Sequence, residues 1–157
     1  MNSDNELLKE GIVLYSGLSP RIYESLKALC CLANAAGPLQ AHKIASAAGL
    51  PPAQTAKILQ LMTWAGFVES RRGTKGGFWL VTPAARIRVT DVADFFTHPT
   101  KEIPQHEQDP MLKALAQATA CCYRAFAQIT VADLAKVSGS EYGATKSSRA
   151  AKSEALR

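Results

Sequence analysis

The chain has 157 residues, an apolar fraction of 47% and a formal net charge of +5. This length and apolar content suit one globular domain with an appendage. No apolar run approaches the ~20 residues of a membrane-spanning helix, and the polar, acidic first residues do not have the pattern of a secretory signal. We therefore expect a cytoplasmic protein that makes no membrane contact and whose four cysteines form no structural disulfides.

The positive charge is concentrated in one part of the chain. Residues 14–97 contain nine Lys and Arg residues and four acids, which gives +5. The flanking segments give −2 for residues 1–13, 0 for residues 98–137 and +2 for residues 138–157. A positive surface is what neutralisation of DNA phosphates requires, although a solvated basic surface remains the alternative.

The first predicted elements are two helices. Ser19 and Pro20 are typical of a helix N-cap and first turn. Apolar residues then recur at three- and four-residue spacing until Gly37, where the helix is expected to end. A shorter helix is predicted from Ala41 to Ala48, and Gly49 should close it.

A second helix of a helix-turn-helix is predicted from Pro52 to Ala65. Pro51 and Pro52 favour a tight turn and a helix start, because proline has a preset φ and needs no donor there. The apolar stripe of this helix leaves small or long polar side chains outward, which suit base edges and phosphates. An ordinary solvated helix face is the alternative. The predicted DNA-binding residues on this helix are Gln54, Ala56, Lys57 and Gln60.

A β-hairpin with a basic, glycine-rich tip is predicted next, after a helix stop at Gly66. Its strands are expected at Phe67–Ser70 and Phe78–Val81. Glycine supplies positive φ and permits close approach of a ligand, and the basic side chains suit phosphate or minor-groove contact. The loop lacks the GxxxxGK[ST] pattern of a nucleotide site. The predicted DNA-binding residues of this wing are Arg71, Arg72, Gly73, Lys75, Gly76 and Gly77.

The last third of the chain predicts a dimerisation helix. Thr90 should cap a helix from Asp91 to Thr97, and the polar segment His98–Pro110 is expected to be a linker. A long apolar helix from Met111 to Gln128 then lacks a following element to bury it, so a second subunit is the natural partner. The predicted dimerisation residues are Leu112, Leu115, Thr119, Cys122 and Phe126.

The predicted fold is therefore mainly α with a small β-wing: a winged helix-turn-helix followed by a long dimerisation helix. An N-terminal extension (1–15) precedes the winged domain (16–97) and the linker loop (98–110). The dimerisation helix and a short turn at Asp133–Lys136 occupy residues 111–137, and residues 138–157 are predicted to be a disordered tail.

Three motifs resemble the Rrf-two (Rrf2) family of bacterial transcription regulators. They are Ile58-Leu59-Gln60, Ala65-Gly66-Phe67-Val68 and the wing pattern Arg72-Gly73-x-x-Gly76-Gly77-Phe78. The resemblance covers about Leu18 to Lys136. It implies a homodimer whose recognition helices and wings meet a roughly palindromic operator, with the long helix crossing to the partner subunit.

By position, the resemblance also implies roles for individual residues. Gln54, Ala56 and Lys57 match the positions at which the family reads base edges. Arg72 and the glycines of the wing match the part that enters the minor groove.

The cysteines depart from the iron–sulfur members of that family. Those members carry three closely spaced cysteines before the dimerisation helix, whereas residues 98–110 contain none. The pairs Cys30-Cys31 and Cys121-Cys122 are adjacent on helices, where neighbours point about 100° apart, and neither has the CxxC-type spacing of metal fingers. We therefore predict no metal site and no cofactor, with Cys30 and Cys122 as core residues.

Two redox alternatives remain open from the sequence. A cluster could use other ligands, such as His98, His106 or nearby acids. An exposed Cys31 or Cys121 could also act as a thiol switch.

The predicted function is thus a homodimeric DNA-binding transcription regulator, most simply a repressor, whose partner is double-stranded DNA. A winged helix used to contact an acidic protein is the other binding alternative. No Ser/His/Asp, Cys/His or paired-carboxylate arrangement is legible, so the chain is not expected to be an enzyme.

Overall fold

A computed structural model describes residues 18–73, 76–97 and 110–139, and of Leu112 only the backbone. The helices are α1 (Pro20–Ala33), α2 (Ala41–Ala48), α3 (Pro52–Trp64), α4 (Val89–Phe96), α5 (Pro110–Phe126) and α6 (131–139). The strands are β1 (Val68–Arg71) and β2 (Gly77–Leu80), and a 3-10 turn covers Ala84–Arg86. The predicted mainly α fold with a small wing is confirmed. The predictions for residues 1–15, the linker residues 98–109, Lys75 and the tail beyond residue 139 lie outside the described residues.

Helix α1 begins as its sequence predicts and ends earlier than predicted. The Ser19 hydroxyl accepts a hydrogen bond from the Ile22 N–H at 3.4 Å, and Pro20 occupies the first turn. The helix ends at Ala33, ahead of the predicted stop at Gly37. After the helix, the chain turns and Leu39 pairs with Phe78 of β2.

The helix-turn-helix follows the predicted pattern closely. Gly49 has φ +62° and closes α2, and its N–H donates to the Ala45 carbonyl. Pro51 and Pro52 then start α3 without requiring a backbone donor. Thr55 faces the core, and its buried hydroxyl donates to the Pro51 carbonyl at 3.0 Å.

The core lies between α1, α2, α3 and α4. Burial of each large apolar side chain contributes about 1.5–3 kcal/mol relative to exposure. The fully buried large apolar residues are Ile22, Leu29, Ile44, Leu59, Met62, Val68, Ile87, Val92 and Val131.

The wing is an antiparallel hairpin whose register pairs Val68 with Leu80 and Arg71 with Gly77. Its strands lie close to the predicted bounds, and Gly66 has the expected positive φ of +77°. On its other edge, β2 pairs with Leu39 through hydrogen bonds of 2.7 and 2.9 Å. The wing is therefore attached to the segment between α1 and α2.

The start of α4 differs from the prediction. Thr90 was expected to be the N-cap, but the helix begins at Val89 and Arg88 precedes it. Thr90 is buried, at 4% exposure, so its side chain belongs to the core. Asp91 stabilises the helix start, because its carboxylate accepts the Arg88 N–H at 2.8 Å.

The segment after α5 returns to the winged domain. The Val89 N–H donates to the Ile129 carbonyl at 2.9 Å, and the Val131 N–H donates to the Ile87 carbonyl at 2.8 Å. Val131 and Ala135 are buried against the core. The sequence predicts only a short turn at Asp133–Lys136 and a tail from residue 138. In the structure, α6 is longer than that turn and completes the core of the winged domain.

Candidate nucleic-acid interface

The exposed face of α3 is the surface that the helix-turn-helix presents outward. Ala56, Lys57 and Gln60 are exposed, as the sequence predicts. Trp64 continues the stripe, since it follows Gln60 by four residues and is 78% exposed. The stripe therefore combines a cation, an amide and a large aromatic ring.

Gln54 is less outward than its neighbours on α3. Its side chain is half-buried, and its Nε2 lies 2.5 Å from Oε2 of Glu24 on α1. The structure thus places this predicted base reader against a carboxylate from another helix. Sequence reasoning did not identify Glu24, because the bond joins residues 30 positions apart.

The tip of the wing exposes its predicted basic residues. Arg71 and Arg72 are exposed at the end of β1, and Gly73 follows with φ +113° and open space around it. Positive φ favours glycine at that position. Within the described residues, neither arginine forms an ion pair; the one salt bridge there joins Lys136 to Asp133 at 3.4 Å.

Gly76 and Gly77 are buried, unlike the other predicted residues of the wing. A Cβ at Gly76 would lie 2.1 Å from the Arg71 carbonyl oxygen, and one at Gly77 would lie 2.6 Å from the Leu39 carbonyl oxygen. These glycines are therefore required by close packing within the chain. The sequence pattern predicts instead that they permit the approach of DNA, because it contains no sign of these contacts with Arg71 and Leu39.

The apolar side of α5 is exposed in the single chain. Met111 is 70% exposed and Leu115 59% exposed, and Thr119 is also exposed. Phe126 differs, because it is half-buried and packs against the core. The side chain of Leu112 lies outside the described residues.

Polar residues occupy the opposite side of α5. Lys113, Gln117 and Arg124 lie roughly 160–200° from Leu115 around the helix. Tyr123 connects α5 to the winged domain, because its hydroxyl donates to Oδ2 of Asp94 on α4 at 2.6 Å. The bond with Asp94 raises the pKa of Tyr123 above its usual value.

The four cysteines fall into two environments. Cys30 is buried, as predicted, and burial raises its pKa to about 11. Burial also raises the pKa of Cys31, with a smaller opposing effect of the nearby Lys27 charge. Cys122 was predicted to be a core residue. This is wrong for the single chain, where Cys121 and Cys122 are both exposed because α5 has few neighbours.

A metal or cluster site does not fit the residues that the structure describes. No group of three or more His, Cys, Asp or Glu side chains is brought together in the ranges 18–73, 76–97 and 110–139. The histidines at positions 98 and 106 are not part of those ranges.

Two features of this surface were missed by sequence reasoning. Trp64 follows Lys57 by seven residues, so helical periodicity was a sufficient signal to place it on the outward stripe. The return of α6 also had a signal, because Thr130 and Asp133 form a reciprocal capping box at the start of that helix. No local pattern indicated the contact of Glu24 with Gln54.

The arrangement of helix-turn-helix, exposed recognition helix and basic wing defines a DNA-binding protein of the winged helix-turn-helix class. The chain belongs to the Rrf2 family, whose model, described as "Rrf2: Iron-dependent Transcriptional regulator", matches residues 18–137. Its class is therefore that of transcription regulators and not of enzymes. No described helix combines the length and apolar character needed to cross a membrane.

Three solved structures share this fold at low sequence identity. The T. potens IscR structure aligns with a TM-score of 0.66 at 22% identity, over 76% of this chain and 85% of that one. The global cysteine regulator CymR (YrzC) of B. subtilis aligns with the same TM-score and identity, over 76% and 96%. Staphylococcus aureus CymR gives 0.63 and 22%, over 74% and 96%. No curated protein matches the chain.

Proposed function

We propose that the protein is a homodimeric repressor that binds a roughly palindromic operator in the cytoplasm. The observation that carries this proposal is the pairing of two exposed surfaces in one chain. One is the outward face of α3 beside the basic wing tip, and the other is the apolar side of α5. The first suits DNA and the second suits another copy of the same helix.

The face of α3 has the chemistry of a base reader. The first turns of a recognition helix contact base edges in the major groove. Gln54 and Gln60 carry amides that can pair with adenine, and Lys57 can reach guanine or a phosphate. Ala56 lets the helix approach the groove closely, and its methyl group can contact a thymine methyl.

The wing tip has the chemistry of a backbone contact. Arg71 and Arg72 extend from the end of β1, and Gly73 leaves open space beside them. Arginine side chains at such a tip bind phosphates or enter a narrow minor groove. We expect this contact to hold the protein on DNA without selecting much of the sequence.

The apolar side of α5 supplies the second half of the proposal. Met111 and Leu115 are large apolar side chains that a stable single chain gains nothing by exposing. A two-fold dimer buries the same patch of both subunits. Two recognition helices related by that axis require an operator with inverted half-sites, and a dimer bound over a promoter excludes polymerase.

The iron dependence named in the family description is not part of this proposal. The described residues do not fit a cluster or a metal ion, because no ligand group is assembled among them.

Selection of bound duplexes from a random DNA pool tests the proposal. We expect enrichment of one motif made of two inverted half-sites, with affinity that falls steeply with salt. In a Trp79→Phe background, Trp64 emission should change on binding to this motif and not on addition of unrelated duplex. Absence of any enriched motif would contradict sequence-specific regulation, and enrichment of a single, unrepeated half-site would contradict the dimer.

Reporter transcription from a promoter that overlaps the selected motif tests repression. The protein should lower transcript yield in proportion to operator occupancy. An increase in transcript would show that the regulator activates.

A further inference from the structure

One hydrogen bond joins the first helix of the domain to the proposed base reader. Glu24 lies on α1, Gln54 is the third residue of α3, and Nε2 of Gln54 is 2.5 Å from Oε2 of Glu24. Both side chains are half-buried at the junction of the two helices. A carboxylate is thus present at the edge of a surface that carries the positive charges of Lys57, Arg71 and Arg72.

The chemistry of the pair fixes which way the Gln54 amide points. A carboxylate can only accept hydrogen bonds, so Gln54 must turn its Nε2 and not its Oε1 toward Glu24. This uses one of the two Nε2 hydrogens. The second hydrogen and the Oε1 acceptor are left for another partner.

The remaining groups match one base. Adenine presents an N7 acceptor and an N6 donor in the major groove, which a glutamine amide can satisfy with one N–H and its oxygen. Guanine presents two acceptors and cytosine presents a single donor, so neither satisfies both groups. The orientation set by Glu24 therefore favours adenine.

We propose that Glu24 is a positioning residue for base recognition, which holds the Gln54 amide so that it reads one adenine in each half-site. This inference rests on the proposed function, because it assumes that α3 enters the major groove. Without Glu24, the side chain of Gln54 would have several rotamers and two amide orientations, and it would accept several bases. Glu24 would also repel phosphates, so it lowers affinity for all DNA while it raises selectivity.

The test compares variants on the selected operator and on versions with each other base at each position of a half-site. The variants are Glu24→Ala, Glu24→Gln, Gln54→Ala and the double variant Glu24→Ala/Gln54→Ala. We expect Glu24→Ala to lose about tenfold of the preference for adenine at a single position. Gln54→Ala should lose the preference at the same position. The double variant should show the same loss as Gln54→Ala alone, because Glu24 acts through Gln54.

Glu24→Gln separates positioning from charge. Its side-chain amide keeps a hydrogen bond to Gln54 but can either accept from Nε2 or donate to Oε1. The preference for adenine should therefore fall less than in Glu24→Ala, while affinity for every duplex increases. Glu69→Gln is the matched control, because Glu69 is an exposed acid on β1 with no contact to Gln54. It should raise affinity for all duplexes to a similar extent and leave every base preference unchanged. Circular dichroism and thermal unfolding of each variant verify that the domain is folded.

The outcomes distinguish the inference from the function on which it rests. If the wild-type protein selects an operator and Glu24→Ala changes affinity equally for every base, Glu24 is not a positioning residue. Additive losses in the double variant would likewise overturn the inference, because they would show independent roles. A wild-type protein without any sequence preference would overturn the proposed function and this inference together.

Discussion

Helix α3 exposes one face, whereas the described side chains of α5 are exposed all round the helix up to its last turn, and the two exposed surfaces differ in composition. The face of α3 carries Lys57 and Gln60 and adjoins the arginines of the wing. The face of α5 carries Met111 and Leu115, with exposures of 70% and 59%. Exposure alone therefore does not identify a binding surface; its chemistry indicates the partner. Charged and amide groups match a hydrated polyanion, whereas apolar groups match an apolar surface.

The two helices also differ in how they are held. The inward side of α3 is buried in the core through residues such as Leu59 and Met62, so the backbone that carries its outward side chains is held in place. Helix α5 contacts the rest of the described chain near its C-terminal end, through Phe126 and the bond between Tyr123 and Asp94. The core thus holds α3 along its length, whereas α5 has few contacts with the rest of the described chain, and we propose that a second subunit covers it.

The largest expected effect is on the fold of the reader. Gly76→Ala places a Cβ where the Arg71 carbonyl oxygen lies 2.1 Å away. The wing must then rearrange, and we expect a loss of about 3 kcal/mol in the free energy of unfolding, with loss of operator binding. Urea unfolding at a fixed protein concentration measures this change.

Gly37→Ala is the control for that substitution. Gly37 has no atom within 4 Å of an added Cβ, and its φ is not in the positive range. The unfolding free energy should stay the same or rise slightly, because alanine restricts the unfolded chain. Equal stability of both variants would show that the wing does not pack as closely as the geometry requires.

The second effect is on the dimer. In the dimer that we propose, Leu115→Glu removes two leucines from the interface, at about 1.5–3 kcal/mol each, and introduces two charges. The dissociation constant of the dimer should rise by at least about 100-fold, which analytical ultracentrifugation measures. Gln117→Glu, on the opposite side of α5, adds the same charge and should leave the dimer intact. Dissociation by both variants would mean that α5 has no preferred dimer face.

The third effect distinguishes the role of the wing in general DNA affinity from the role of α3 in base preference. Arg72→Ala should weaken binding to operator and random duplex alike, by about 5- to 10-fold, and reduce the salt slope by about one. Lys57→Ala should instead change the preferred bases. Lys136→Ala serves as the control, since that ammonium is paired with Asp133. If Arg72→Ala changed only the base preference, the division between wing and helix would be wrong.

Local signals in the sequence predicted most of the reader. Ser19 and Pro20 set the start of α1, and Gly49 with the two prolines set the turn before α3. These signals act through backbone geometry within a few residues, so they can be read without knowledge of the fold. The outward positions of Lys57 and Gln60 follow from the same helical periodicity.

The remaining features depend on contacts between distant segments. The Cys30 thiol donates to the Val131 carbonyl across 101 positions, and this packing brings α6 into the core. The contact of Glu24 with Gln54 and the close approach of Gly77 to Leu39 are of the same kind. Local patterns contain no record of such distances. This is why the glycines of the wing were assigned to DNA. The start of α6 could be read locally from Thr130 and Asp133, but its packing against the core could not.

The smallest expected effect is a difference in reactivity between the thiol of Cys30 in the core and the thiols of Cys121 and Cys122 on α5. It is measured on the wild-type protein. Burial holds the pKa of Cys30 at about 11, so its thiol stays protonated at pH 8 and should alkylate slowly. On α5, Cys122 lies on the same side as Leu115, whereas Cys121 is displaced by about 100° toward Arg124. We expect Cys121 to react and Cys122 to be protected in the dimer, as measured by mass spectrometry of alkylated peptides.

The Leu115→Glu variant and a pH series complete that measurement. Cys122 should become reactive when the dimer dissociates, and Cys30 should remain slow in both states, since its burial is within one chain. Folding raises the pKa of Cys30. The contribution of this thiol to the free energy of unfolding is therefore complete below the unfolded pKa of about 8.5, and it is lost as pH rises toward 11. Rapid alkylation of Cys122 in the intact dimer would show that the dimer interface lies on another side of α5.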